Sequence, residues 1–166
     1  IAEFFVQLID YSYLTILLVF MNKSGYTDYK AADFYGWRFL SVLLLSFNLG
    51  FYINGRKLKP LFYISAICTP LLSFATIYAV EYHLDFAIYL LMFLLGISVL
   101  GLEVSILPYI LRNVDEDHHT AAISLSYSTM SLSGIVSGAI IYFLSKIDAA
   151  FFDEKMIFKI FSIVSL

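Results

Sequence analysis

Two carboxyl side chains lie inside long apolar stretches of the sequence, where charged residues are rare. Asp10 interrupts IAEFFVQLIDYSYLTILLVF, and Glu103 interrupts FLLGISVLGLEVSILPYIL. A carboxyl group in such surroundings can hold a polar solute or carry a proton. Alternatively, it stays protonated or bonds a neighbouring Ser or Tyr. These two acids are therefore the first candidates for chemistry in this chain.

The first acid shares one face of its segment with other polar residues. Steps of three and four residues bring side chains onto one helical stripe, and these steps separate Glu3, Gln7, Asp10 and Tyr11. Asp10 is roughly 15 Å into that helix, where a lipid-exposed charge costs at least about 2.5 kcal/mol. We therefore predict a substrate or proton pathway lined by Asp10, Gln7, Tyr11, Asn48 and Glu103. For Asn48 an interhelical hydrogen bond is an equally good interpretation.

The segments that carry these residues are long enough to cross a membrane. The twenty residues from Leu61 to Val80 contain no ionisable side chain, and as a helix they span about 30 Å, the thickness of bilayer hydrocarbon. Similar stretches lie at about 1 to 21, 34 to 53, 86 to 111 and 120 to 144, with a shorter one at 156 to 166. The five longer stretches exceed the strand length of a membrane barrel. The sequence predicts one all-α transmembrane domain over 1–166, a polytopic bundle of five complete helices and a truncated sixth.

Composition argues against several other classes of protein. Hydrophobic residues make up 61% of the chain and charged residues 14%, against about 25% charged in soluble domains. The net charge of −3 offers no basic surface for nucleic acid. Cys68 is the single cysteine. Residues 115 to 119 have metal-ligand types, but neighbouring side chains on a helix point in different directions. We expect no cofactor, no metal site and a lipid bilayer as the main partner.

Two other features within the apolar stretches have structural interpretations. Arg38 lies about five residues inside the second stretch, close enough to its start for the guanidinium to reach lipid headgroups. This placement favours an anchoring role over contact with a substrate. On the fifth stretch Gly134 and Gly138 form a small-xxx-small pair that allows close helix packing. A functional hinge is the alternative role for this pair.

A short basic loop follows the second stretch and contains Gly55-Arg56-Lys57, with Lys59 close behind. An excess of Lys and Arg in a short loop favours the cytoplasmic side, but the loops on the opposite side carry Lys23, Lys30, Lys146 and Lys155, so the charge rule alone is nearly a tie. This motif resembles the Gly-Arg-Lys end of the loop between helices two and three in the major facilitator superfamily (MFS). The Gly and Asp that precede it in the family are replaced here by Asn48 and Tyr52.

The resemblance to the MFS extends over nearly the whole chain. Leu107 to Leu111, the polar loop after them, and Ala121 to Ile140 resemble the fourth helix, the loop and the fifth helix of that family. The family's antiporter signature is missing, because no Gly-Pro pair follows the fifth-helix glycines. Drug and proton antiport therefore gains no support from this helix.

The resemblance implies the amino-terminal half of a secondary transporter, which would move a small polar solute by alternating access, with proton coupling as one option. Its further partner would be the missing carboxy-terminal six-helix half, and its location the plasma or bacterial inner membrane. The basic loop would form a latch with Asp115, Glu116 and Asp117. The alternatives are a structural or assembly subunit, in which the two acids are dispensable, and a less favoured membrane-embedded enzyme. On balance we expect no enzymatic activity.

Overall fold

The structure is a computed structural model that describes residues 2–147 and 154–164. Its regular elements are helices: α1 (Ala2–Lys23), α2 (Asp28–Ile53), α3 (Lys59–Glu81), α4 (Asp85–Asn113), α5 (His119–Ile147) and α6 (Glu154–Val164), with a short 3-10 helix (Glu116–His118) before α5. Five of them, α1 to α5, are long and apolar enough to cross a membrane. The predicted helical membrane bundle is confirmed at this level, and the chain is consistent with an integral membrane protein.

The start of α2 differs most from the expected boundaries. The helix begins at Asp28, six residues before the expected start at 34, because the Thr27 hydroxyl caps it by accepting a hydrogen bond from the Lys30 amide at 3.4 Å. The turn before it is short, since Gly25 adopts a φ of +90°. At the other end of the chain α6 begins at Glu154, and the expected helical positions 1, 165 and 166 lie outside the described residues.

Two helices form the interior of the bundle. In an 18-residue apolar segment of each helix, the buried share is 61% for α1 and 50% for α4. The corresponding shares are 17% for α2 and 11% for α5. α1 packs along α5 and also contacts α3 and α6, while α4 packs along α2 and α3. α2 and α5 therefore flank the interior pair. Residues on α1 and α4 are the ones that neighbouring helices surround.

The backbones of α2 and α4 approach each other closely at Gly96. A Cβ atom at this position would lie 2.1 Å from Ser41 Oγ and 2.5 Å from the Arg38 carbonyl oxygen. Only a residue without a side chain fits against α2 here. The contact fixes the position of the α2 backbone that carries Arg38.

Two proline residues lie inside the spanning helices. Pro70 is buried in α3, and Pro108 lies in the last third of α4. Each proline removes one helical hydrogen bond, because its nitrogen carries no hydrogen. Short connections between consecutive helices force α1 to α5 to run alternately up and down, so α1 begins at the end of the bundle where α2 and α4 finish.

Candidate functional site

A buried ion pair joins α1 to α2 at mid-depth of the bundle. Arg38 Nη2 donates to Asp10 Oδ1, and the two side chains are 6% and 9% exposed respectively. The expectation that Arg38 extends to the headgroups is wrong. Its helix starts at Asp28, so the residue is ten positions inside rather than five, or roughly 15 Å. At that depth the acid on α1 is its natural partner.

Two nitrogen donors next to this ion pair are buried without a hydrogen-bond acceptor among the described residues. They are Gln7 Nε2 and Arg38 Nη1. The Gln7 residue is 2% exposed and Arg38 is 5% exposed, so water does not cover them from outside. An unsatisfied buried donor costs about 1 to 3 kcal/mol. An acceptor from a bound molecule would remove that cost.

The second candidate acid lies close to this pair but on the open side of α4. Glu103 has Asp10, Arg38 and the side-chain amide of Gln7 as its electrostatic neighbours. Its residue is exposed, unlike Asp10. In the part of the chain that the structure describes, it forms no salt bridge. We refer to Gln7, Asp10, Arg38 and Glu103 as the polar cluster.

An apolar cleft begins at Glu103 and lies between α4 and α5. The α4–α5 cleft has a volume of about 280 Å³, and Glu103 shares its lining with Ile106, Leu107, Ile110, Ile123, Ser126, Tyr127 and Met130. A second cavity of about 640 Å³ shares three of these residues and extends to Glu3 and Lys59. The two spaces together reach from the polar cluster to the end of the bundle where α1 begins.

Two tyrosine residues close the other side of the polar cluster. Tyr13 is fully buried and directs its hydroxyl to Met92 Sδ at 3.7 Å. Tyr35 donates its hydroxyl to the Tyr13 carbonyl oxygen at 3.2 Å. Sequence reasoning missed both, although each lies three residues from a member of the ion pair on the same helix. The three-residue step that linked Gln7 to Asp10 would have found them.

The remaining residues of the predicted pathway lie elsewhere. Tyr11 lies at the contact of α1 with α5, where a Cβ atom added to Gly134 would be 3.6 Å from its ring. Asn48 is exposed on α2, and its amide donates to the Leu44 carbonyl oxygen of the same helix at 3.2 Å. The structure thus brings Asp10, Gln7 and Glu103 together and leaves Asn48 apart from them. Gly138 faces open space, with no atom within 4 Å of a Cβ built there.

The loops at the end where α1 begins are joined differently from the expected latch. Within residues 2–147 no salt bridge connects the basic loop to Asp115, Glu116 or Asp117. Instead, Arg112 at the end of α4 donates to the carbonyl oxygens of Arg56 at 2.8 Å and Ile53 at 3.2 Å. The Arg56 guanidinium itself stacks over the Tyr52 ring at 4.1 Å. The link is therefore a helix-end clamp, with Gly55 at a φ of +72° making the turn.

Comparisons with known proteins identify no relative of this chain. No protein-family model matches it, and no curated protein or solved structure matches it either. Among the described residues there is also no group of three or more His, Cys, Asp or Glu side chains that could hold a metal ion. Functional inference therefore rests on the polar cluster and the cavities beside it.

Proposed function

We propose that this chain forms one half of a secondary transporter of the MFS type, which moves a small polar solute across the membrane by alternating access. The observation that carries the proposal is the polar cluster. A buried ion pair, two donors without acceptors and an open acid lie together at mid-depth, next to cavities that reach one end of the bundle. Intramembrane ionisable residues of this kind are typical of solute and ion pathways.

The helix arrangement supports the same proposal. The helices form two groups of three, α1 to α3 and α4 to α6. The first helix of each group packs along the second helix of the other group, because α1 pairs with α5 and α4 pairs with α2. The third helices follow the same rule, because α3 packs against α4 and α6 packs against α1. Packing of this kind between two groups of three helices is typical of the nested three-plus-three repeats in MFS halves. In such proteins the solute site lies near the midplane, where the polar cluster is found here.

The proposed mechanism uses the residues of the cluster in different roles. Arg38 holds Asp10 as a charged group, and a solute with an acceptor would bind Gln7 Nε2 and Arg38 Nη1. Binding would weaken the hold of Arg38 on Asp10 and make that carboxyl available to a proton or to a cationic group. A second half would then close over the occupied cluster and rock against this one.

Transport in proteoliposomes tests this proposal. The full-length protein would be reconstituted and assayed with a panel of sugars, organic ions and peptides, with and without a pH gradient. Asp10→Asn keeps the shape and removes the charge, so gradient-driven uptake should fall far more than exchange at equal pH. Asp115→Asn, an exposed acid in the loop, serves as the matched control and should transport normally. Normal gradient-driven transport by Asp10→Asn would contradict the coupling role.

An assembly subunit is the second candidate function. It is favoured by the small residues that α5 exposes on its outer face, namely Ser124, Ser128, Ser131 and Gly138. Small residues allow a neighbouring helix to approach closely. In that case the polar cluster would stabilise the fold alone. Asp10→Asn and Glu103→Gln would then lower only the amount of folded protein, and the folded fraction of each variant would keep every function of the assembled complex.

A further inference from the structure

The charges of the polar cluster do not cancel. Asp10 and Arg38 neutralise each other, because each is the partner in the same buried salt bridge. Glu103 lies within the field of that pair, yet within the described residues no base forms a salt bridge with it. Two acids and one base leave one carboxyl group without a basic partner among the described residues, and it lies on the open side of α4. A single positive charge would complete the cluster.

The space next to Glu103 is apolar and small. Its walls are mostly aliphatic side chains of α4 and α5, with Tyr127 as the aromatic member. A volume of about 280 Å³ lies just below the range of drug-sized sites, so it suits a smaller molecule. An aromatic ring face also attracts a cation. The cleft therefore has an acidic group at one end, Glu103, and mostly apolar side chains along the rest of its lining.

A second observation concerns the buried neighbour of Glu103. The buried side-chain amide of Gln7 interacts with the Glu103 carboxyl, although Nε2 makes no close hydrogen bond among the described residues. The Gln7 residue is 2% exposed. The Gln7 amide thus supports the Glu103 carboxyl from its buried side, and contact with a ligand is left to Glu103 and the walls of the cleft.

We propose that Glu103 and the α4–α5 cleft bind a monovalent organic cation whose apolar part fills the cleft. This inference rests on the proposed function only in taking that cation as the transported solute. Glu103 pairs with the positive charge, the aliphatic walls take the apolar part, and Tyr127 lies beside it. The buried ion pair keeps the background charge neutral, so that one cation is bound per chain.

Binding of benzyltrimethylammonium to the purified full-length protein in nanodiscs tests this inference. Isothermal titration calorimetry would measure its affinity, with 3-phenylpropionate as an anion of comparable size. We expect saturable binding of the cation and none of the anion. Glu103→Gln should weaken cation binding roughly 10- to 100-fold, because it removes the charge–charge attraction between the carboxylate and the quaternary ammonium. Glu116→Gln, an exposed acid outside the cleft, should bind as the wild type does.

A second variant covers the case in which Glu103→Gln does not fold. Ile123→Trp fills the cleft from the α5 side without touching any charge, and it should abolish cation binding. Equal affinity in wild type and Glu103→Gln, tighter binding of the anion, or absence of saturable cation binding to the wild type would each overturn the inference. If cation binding fails while Asp10→Asn still loses uptake of another solute, the transport proposal stands alone. If the cation binds through Glu103 but nothing is transported, the binding inference stands and the transport proposal fails.

Discussion

Gly96→Ala should destabilise the protein by separating α2 from α4. The added Cβ would meet the Arg38 carbonyl oxygen at 2.5 Å, so the backbones must part by about 0.9 Å to reach 3.4 Å, the lower edge of ordinary contact. Overpacking of this kind costs up to about 3 kcal/mol. Alanine regains about 1 kcal/mol through its higher helix propensity. We therefore expect a net loss of about 2 kcal/mol, measured by SDS-induced unfolding of the full-length protein in mixed micelles.

Gly36→Ala is the matched control for this substitution. It lies on α2 and has no atom within 4 Å of a built Cβ, so it should be neutral or stabilise by up to about 1 kcal/mol. Adding Ser41→Ala to Gly96→Ala removes the side-chain contact at 2.1 Å but keeps the backbone contact. This double variant should recover only part of the loss. Equal stability of Gly96→Ala and Gly36→Ala, or complete recovery in the double variant, would refute the argument from backbone approach.

Two further predictions concern the ends of the bundle. Burial and the hydrogen bond to Asp85 raise the pKa of Tyr26 to about 12, above the value of about 10 in an unfolded chain. Folding therefore opposes its ionisation, and thermal stability should fall between about pH 10 and pH 12. Tyr26→Phe should lose less stability over that range, and an equal loss would contradict the assignment. At the other end Arg112→Gln should speed amide hydrogen exchange in residues 54–58 roughly fivefold. The reason is that losing the Arg112 hydrogen bonds lowers the local free energy of opening of this loop by about 1 kcal/mol. Lys57→Gln should leave that exchange unchanged, and similar rates in both variants would argue against the clamp.

The helices could be predicted from the sequence because membrane spans depend on length and hydropathy, which are local properties. The start of α2 could not be placed by the same rule. The segment from Asp28 to Asp33 is polar, and it is helical because Thr27 caps it. This one boundary also decided the role of Arg38. A start at 34 puts the guanidinium near the headgroups, whereas a start at 28 puts it beside Asp10.

Half of the candidate site followed from spacing along single helices. The stripe on α1 predicted that Gln7 and Asp10 share a face, and the structure places both at the polar cluster with Glu103. Asn48 could not be judged in this way, because a polar residue can satisfy itself on its own helix, as its bond to the Leu44 carbonyl does. The cleft and the close approach at Gly96 depend on how whole helices pack, and no local pattern encodes that information.

Pro108 creates a point in α4, which we call the joint, where the helix bends more easily. Because proline has no N–H, the carbonyl oxygen of Val104 loses its helical donor, one residue after Glu103. The part of α4 before the joint is fixed at Gly96 against α2, and the part after it is tethered through Arg112 to the end of α2. Bending at this point would change the width of the α4–α5 cleft while the buried ion pair stays at rest. We expect the cleft to open and close by a local bend of α4, much faster than any rocking motion of the whole bundle.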